Sequence, residues 1–537
     1  MTDNRAVLAM YDVRGIQNYI FKTSKVKDAI GASALVEDII ENAISYACKT
    51  KDISDSDIDL EWFNADGPIA YTEKERRIQA LYIGGGNAYF IYESRELAVE
   101  VSRVMARYTI DNTYSLQLAV AITDKTDSYK DDYRRLNEEM IRTKDRMVVS
   151  KPLDALPIMA VENKTGLPIT SVEKYKDTTI KLSTESDLKR RAGKNKRNFD
   201  GTGEAERILD SYTTRKGSDS MIAVVHIDGN NMGSRIRGLV EGIDDYKEAI
   251  SLMRTISYNI NNTYKTVFNS MADHYNNSIK DNSLLGKKDN KNCFVMKILT
   301  AGDDITYVCN AKIAISTVEY FVKHITEYGM LGKNGEKKNR FSVCAGIAYI
   351  NSHFPFNVGY DVAEECCDAA KKKAKEKGNL VDGEIGNWLD YQICKNIHTL
   401  NLELTRSREY ITRTGEKLYK HPYYIKDSDD FEKQDDKRDR REDIESFKKE
   451  MRIVNGVGKN GSGDNKAIGR SFAKRLRNTY PIGEGRVDEL VSFLRSRGNS
   501  FPGDMYYMDR DGNQTAIYYD ALEMMDYYVD TENREEE

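Results

Sequence analysis

An apolar strand, a helix, an apolar hairpin, a second helix and another apolar strand occur twice in this chain, in the same order. In the first copy "AVLAMYDV" reads as a buried strand, and Leu35, Ile39, Ile40, Ala43 and Ile44 then recur at helical spacing. "ALYIGGGNAYFIYE" is a hairpin with a glycine-rich turn, "LAVEVSRVMARYTI" a helix, "SLQLAVAIT" a strand and "YKDDYRRLNEEMIRTKDRM" a polar helix. In the second copy the strand is "MIAVVHIDGNNMG", the first helix "YKEAISLMRTISYNINNTYKTVF", the hairpin "FVMKILTAGDDITYVCNA", the second helix "IAISTVEYFVKHITEY" and the last strand "FSVCAGIAYI", followed by the lysine-rich helix "GYDVAEECCDAAKKKAKEKGN". Asp12 at a strand end precedes Asn87 in its hairpin turn by 75 residues, and Asp228 precedes Asp304 by 76. The shared order and register indicate an internal duplication. Each unit predicts an antiparallel sheet with helices on one face, in an α+β fold.

The duplicated units are placed at 1–150 and 219–390. The polar stretch 151–218 joins them, and 391–537 reads as a mainly helical C-terminal domain. Within the connector, "DLKRRAGKNKRNFDGTG" has few apolar anchors and is expected to be a mobile loop. "IKDSDDFEKQDDKRDRREDIESFKKEM" is a mixed-charge run of the kind found in solvated helices and tethers. "NGVGKNGSGDNK" reads as a flexible loop and lacks P-loop spacing. The end, "MYYMDRDGNQTAIYYDALEMMDYYV", predicts a small hairpin followed by a helix.

A 537-residue chain suggests about three or four domains. It has no apolar run long enough for a membrane helix and no signal-peptide pattern at its start, so no membrane association is expected. Seven scattered cysteines without CxxC spacing point to the reducing cytoplasm, and no zinc is expected. The net charge of −5 excludes a uniformly basic nucleic-acid binder, though not local basic patches.

The first strand of each unit ends beside the turn of its central hairpin. In the second unit this brings Asp228 next to Asp303 and Asp304. Three carboxylates meeting there repel one another unless divalent cations neutralise them. Magnesium fits, because it takes one or two carboxylates plus substrate phosphate oxygens. Gly302 and the small Ala301 leave room for a triphosphate. Gly-Asp-Asp is also a good turn sequence in its own right. What sets this turn apart is the preceding strand, whose apolar "IAVVHI" places Asp228 at the end of a central strand. His226 lies in that strand and is read as a core histidine.

Together "DGNNMG", "AGDD" and "SVCAGIAYI…AEECCDAAKKKAK" resemble the second palm domain of the large polymerase/cyclase subunit of type III CRISPR effector complexes. "YDVRGIQNYIFKTSKVKDAIGAS" resembles that family's first palm. The resemblance covers roughly the first 390 residues. It implies two ferredoxin-like palm domains, the second using two Mg²⁺ (or Mn²⁺) ions to polymerise ATP. On that resemblance Asp228, Asp303 and Asp304 are the metal-binding and catalytic residues. Lys375 or Lys371, one helical turn apart, corresponds to the phosphate-binding lysine of the related diguanylate cyclases. Gly229, Asn230, Asn231 and Gly302 join the nucleotide-binding set, and Gly84, Gly85, Gly86 and Asn87 suggest an acceptor site in the first palm.

The departures from the family pattern carry expectations too. Ala301 replaces the first glycine of the usual GGDD turn, and Asn230 stands where a second aspartate is common. "GGGN" lacks the turn carboxylates, so the first palm is not expected to bind two metals. None of the six histidines precedes an aspartate, and the chain opens on the first palm, so the family's His-Asp nuclease is not expected. "LPIMAVENKTGLPITS" follows the outline of the family's zinc insert without its cysteines.

The expected activity is a nucleotidyltransferase joining ATP, or another nucleoside triphosphate, into cyclic oligonucleotide messengers in antiviral defence. Two other readings stay open: an RNA-guided CRISPR effector subunit that scaffolds RNA and smaller subunits, with basic Lys189 to Arg197 touching phosphates, and a cyclase making a cyclic mono- or dinucleotide. Oligomeric state is not readable.

Overall fold

The computed structural model describes residues 6–23, 25–148, 155–163, 165–175, 178–195, 209–212, 220–278, 294–331, 337–380, 384–395, 401–426, 439–455, 470–496 and 503–531. Its first unit runs β1 (Val7–Arg14), α1 (Ile16–Phe21), α2 (Val26–Glu37), α3 (Ile39–Thr50), β2 (Ile78–Gly84), β3 (Asn87–Tyr92), α4 (Arg95–Thr113), β4 (Gln117–Asp124) and α5 (Tyr129–Arg146). The strands lie in the order β2-β3-β1-β4, with the short strand Ile58–Asp59 added in parallel beside β2. This is the antiparallel ferredoxin-like arrangement, in which the hairpin packs against the first strand.

Strand alternation sends β1 side chains into two cores. Val7, Ala9, Tyr11 and Val13 meet the crossover helices α3 and α4, whereas Leu8 and Met10 face α5. The crossover helices thus share one face, and the helix after the fourth strand covers the other.

The connector departs from its expected character. It forms a hairpin, β5 (Ile169–Tyr175) with β6 (Thr178–Ser183), and then α6 (Thr184–Asn195), which packs on α2. Lys189 and Arg190, expected in a mobile basic loop, are buried. Lys189 Nζ donates to Glu185 at 2.6 Å and to the Tyr19 carbonyl at 2.7 Å. Arg190 donates to Asp28 and to Glu173, each at 3.1 Å. The helices approach so closely that a Cβ on Gly31 would lie 1.7 Å from the Lys189 carbonyl oxygen. Composition misleads here because basic side chains, usually solvated, are buried when carboxylates pair with their heads. Residues 196–203, the rest of the expected loop, lie outside the described residues.

The second unit repeats the first: β7 (Met221–Gly229), α7 (Met232–Val240), α8 (Tyr246–Ser278), β8 (Val295–Ala301), β9 (Asp304–Asn310), α9 (Ala314–Ile325), β10 (Val343–Asn351) and α10 (Phe356–Ala374). Its sheet continues past the fourth strand through β11 (Asn387–Ile393), parallel to β10, and β12 (Tyr423–Ile425), in the order β8-β9-β7-β10-β11-β12. The boundary read at 390 therefore falls inside a strand. Helices α8 and α9 cover one face and α10 the other. Gly346 of β10 permits the close seating of α10, since a Cβ there would lie 1.9 Å from the Ala363 carbonyl oxygen.

The two units share their cores. Leu136 and Met140 of α5 join the cluster containing Met253 and Ile256 of α8, and Phe21 joins the one containing Phe356 and Tyr360. Buried Arg254 of α8 donates to the carbonyls of Ile69, Ala80 and Leu81, fixing the second unit to the first.

The C-terminal region packs α11 (Leu402–Glu409), α12 (Ile444–Asn455), α13 (Arg470–Thr479), α14 (Glu484–Ser496), the hairpin β13 (Tyr506–Met508) with β14 (Gln514–Ala516), and α15 (Tyr519–Met524). Arg406 grips Asp390 of β11 in a bidentate pair at 2.8 and 2.9 Å, tying this region to the second sheet. Of the mixed-charge run, 427–438 lies outside the described residues; the rest leads into α12, whose Ile444, Phe447, Met451 and Val454 are buried. Of "NGVGKNGSGDNK" only Asn455 is described. No described helix is long and apolar enough to cross a membrane.

Candidate active site at the palm interface

β7 and β9 pair in antiparallel register up to Ile227 opposite Ile305, so Asp228 and Asp304 are the next residues along that ladder. The two-residue turn between Ala301 and Asp304 places Asp303 beside them. Gly302 has φ +65°, which glycine adopts without strain, and a Cβ there would meet nothing within 4 Å. Ala301 closes the strand pair opposite Asp304 and needs no glycine. Gly229 makes room for the turn, because a Cβ on it would lie 2.8 Å from Asp303 Oδ2.

Asp303 and Asp304 are both pushed up to about 7, first by burial. The Asp228 charge adds to the effect at both, and a Gln17 hydrogen bond opposes it at Asp304. Asp304 Oδ1 is buried without a hydrogen-bond partner. Lys371 of α10 is ion-paired to Asp228 Oδ2. Lys375, the alternative to it, is exposed at the helix end, so the phosphate-binding candidate beside the carboxylates is Lys371.

The three carboxylates share one edge, but among the described residues no group of three His, Cys, Asp or Glu side chains is disposed as a ready metal cluster. Asp228 is engaged by Lys371. The donor set still fits a hard divalent cation. It offers carboxylate oxygens raised by burial and mutual charge, one of them bare, and magnesium needs only one or two protein carboxylates.

Other assignments shift. Asn230 is turned inward, its amide donating to Ser342 Oγ at 3.2 Å and the Gly386 carbonyl at 3.0 Å rather than standing free at the edge. Asn231 has a left-handed backbone (φ 55°) and starts α7. His226 is buried as expected, yet its Nδ1 stands 3.4 Å from Asp304 Oδ1 and 3.1 Å from Thr306 Oγ1, and burial lowers its pKa.

In the first unit Gly85 and Gly86 both have positive φ, +61° and +79°, as a two-residue hairpin turn of the primed kind requires. A Cβ on Gly86, the counterpart of Asp303, would lie 2.3 Å from Ile16 Cδ1, so a side chain there would have to displace the Ile16 tip and adopt a left-handed backbone that favours glycine. Asn87 is 3.5 Å from the Gly85 carbonyl of its own turn, which begins after Gly84. The duplication nevertheless goes deeper than the spacing revealed: Lys144 of α5 is ion-paired to Asp12, as Lys371 of α10 is to Asp228.

Between α1 and α10 lies a cleft of about 660 Å³, lined by Gln17, Lys22, Asn357, Tyr360, Asp361 and Glu364 among others. The buried Asn357 Oδ1 and Tyr360 hydroxyl oxygen lack hydrogen-bond partners. Burial, then a neighbouring acid, raises Asp361, and burial raises Glu364. The sequence did not single out these residues; only Gln17 carried a signal, inside "GIQNYIF".

This fold and this edge define a two-palm protein. Residues 221–381 match the family model of Cas10/Cmr2, second palm domain. No curated protein matches it. Among solved structures it is similar to a Csm1–Csm4 cassette in complex with cA4 (TM-score 0.51, 12% identity, covering 97% of this chain and 69% of that one). It is equally similar to Csm1 of T. onnurineus (0.51, 12%, 97% and 69%), and nearly so to a Csm1–Csm4 cassette in complex with cA3 (0.50, 12%, 97% and 69%). At this identity the likeness is one of fold.

Proposed function

We propose that the second palm is a nucleotidyltransferase that joins ATP, or another nucleoside triphosphate, into cyclic oligonucleotides, as part of a type III CRISPR effector acting in the cytoplasm. The observation that carries this reading is the Asp303–Asp304 pair, raised by burial beside Asp228, with Asp304 hydrogen-bonded to Gln17, which lines the palm–palm cleft. Divalent cations (Mg²⁺ or Mn²⁺) held by Asp228, Asp303 and Asp304 would neutralise the triphosphate and activate the attacking hydroxyl. The 3′-hydroxyl of one nucleotide attacks the α-phosphorus of the next and loses its proton to water, the bond to the β-phosphate oxygen breaks, and pyrophosphate leaves with its electron pair. Lys371 holds Asp228 until nucleotide and cation enter, and then serves the phosphates. The cleft between α1 and α10 receives the nucleotide, with Asn357 and Tyr360 offering polar atoms that lack partners within the protein. The solved relatives bound to cA3 and cA4 support an oligoadenylate product.

The effector-scaffold reading draws support from the relatives' assembly with Csm4. It loses support from Lys189 and Arg190, whose charges are spent inside the protein. The test is pyrophosphate release from each of the four nucleoside triphosphates, with Mg²⁺ or Mn²⁺, with and without added RNA. Release from ATP that excess EDTA stops is the expected result. No release from any triphosphate under any of these conditions would remove the reading.

Gly229→Ala provides a second check. The added methyl collides with the Asp303 side chain and with Met232 Cγ at 2.9 Å, while the backbone there suits alanine. Overpacking of this kind costs about 1–3 kcal/mol of stability. Displacing one carboxylate should lower the rate by about tenfold or more. Wild-type turnover in Gly229→Ala would show that the position of Asp303 does not matter.

A further inference from the structure

The first palm lacks turn carboxylates, yet it reaches into the active edge of the second. Gln17 Nε2 of α1 donates to Asp304 Oδ2 at 3.2 Å across the palm interface. Asp304 Oδ1 has no hydrogen-bond partner and faces His226 at 3.4 Å, so Gln17 is the one side-chain hydrogen-bond donor to this carboxylate among the described residues. The reach is built into the chain. Gly15, with φ +77°, turns β1 directly into α1. Phe21, at the end of α1, stacks on Tyr360 of α10 with ring centroids 3.5 Å apart and planes 7° apart. Lys189 Nζ also binds the Tyr19 carbonyl, pinning α1 from the connector side.

The duplicate shows what is special here. In the second palm the left-handed Asn231 occupies the place of Gly15, and counting on from it puts Gly233, with no side chain, at the place of Gln17. Side-chain chemistry matters as well. A glutamine amide is neutral, so it orients a carboxylate by hydrogen bonding without neutralising it. A lysine there would supply the positive charge itself, as Lys371 does for Asp228.

We propose that Gln17 is a positioning residue, supplied by the degenerate palm, that orients Asp304 of the active palm for cation binding. This rests on the reading of Asp303 and Asp304 as cation ligands. The first palm then completes the second palm's site, and the strength of cation binding follows the seating of α1 on α10.

The test is Mn²⁺ binding by electron paramagnetic resonance on the full chain without nucleotide, for wild type, Gln17→Ala, Gln17→Asn, Gln17→Lys and the double variant Asp303→Asn/Asp304→Asn. Gln17 is exposed, so its variants should fold. Gln17→Ala should weaken Mn²⁺ binding about tenfold, the scale of one hydrogen bond to a charged group. Gln17→Asn, one methylene shorter, should behave like alanine, and Gln17→Lys should bind still more weakly because its ammonium competes with the ion. The double variant should bind no Mn²⁺ at this site. If the double variant loses the ion while Gln17→Ala and Gln17→Lys match wild type, the Gln17 assignment is overturned and the carboxylate reading stands. If the double variant also binds like wild type, both are overturned.

Discussion

Asp303→Asn combined with Asp304→Asn is expected to abolish nucleotide polymerisation, by about 1,000-fold or more, and at the same time to make the metal-free protein more stable at pH 8. The rate loss follows from removing several kcal/mol of transition-state charge stabilisation, each 1.36 kcal/mol of which is tenfold. The stability gain follows from linkage. Both carboxyls have folded-state values near 7, above the ordinary carboxylate value of 3.8. A raised acid favours the folded state while protonated. That contribution is fully present below the unfolded value and is lost as pH rises through about 7. Wild-type protein in EDTA should therefore lose stability between pH 4 and pH 8 from this pair, and the asparagine variant should not. At pH 8 the gap should be about 2 kcal/mol, read by urea unfolding of the full chain. Saturating Mn²⁺ should narrow it by binding the folded wild type. A variant that melts earlier than wild type at pH 8 in EDTA would mean that the pair is not held against its own charge.

Arg190→Ala should be among the most destabilising single substitutions outside the carboxylate edge, at about 3–5 kcal/mol. It leaves Asp28, 4% exposed beneath α6, without the cation paired to it. Arg191→Ala next to it should change stability by no more than about 0.5 kcal/mol, because Arg191 is 70% exposed. Chemical denaturation of the two variants separates a packed helix from a loop. Equal stabilities would return 187–195 to the mobile loop expected from its composition.

That stretch marks the reach of local pattern. Short-range periodicity and turn chemistry carried a great deal: the repeated strand–helix–hairpin order, the placement of Asp228 beside Asp303 and Asp304, and the absence of turn carboxylates in the first palm. What escaped depends on partners distant in the chain. Lys189 and Arg190 have the composition of a solvated run, and their burial is decided by Glu185, Asp28 and Glu173. Asn230 looks like a site residue by its neighbours, but Ser342 and Gly386 turn it inward. Lys371 and Lys375 share a helix face, and only the fold tells them apart. The Asp12–Lys144 pair joins residues whose kinship appears only when α5 and α10 are seen to occupy matching places. The cleft acids Asp361 and Glu364 sit on an ordinary amphipathic helix.

The most direct test of the account is the mass of the products formed from ATP and Mg²⁺ by the full chain, supplied with RNA and effector partners where the isolated chain is silent. Cyclic oligonucleotide synthesis predicts masses of three or more adenylate residues with no terminal triphosphate, absent when Asp303 and Asp304 are both asparagine. A product that is only a cyclic mono- or dinucleotide, or oligonucleotide synthesis that survives in the double variant, would contradict it.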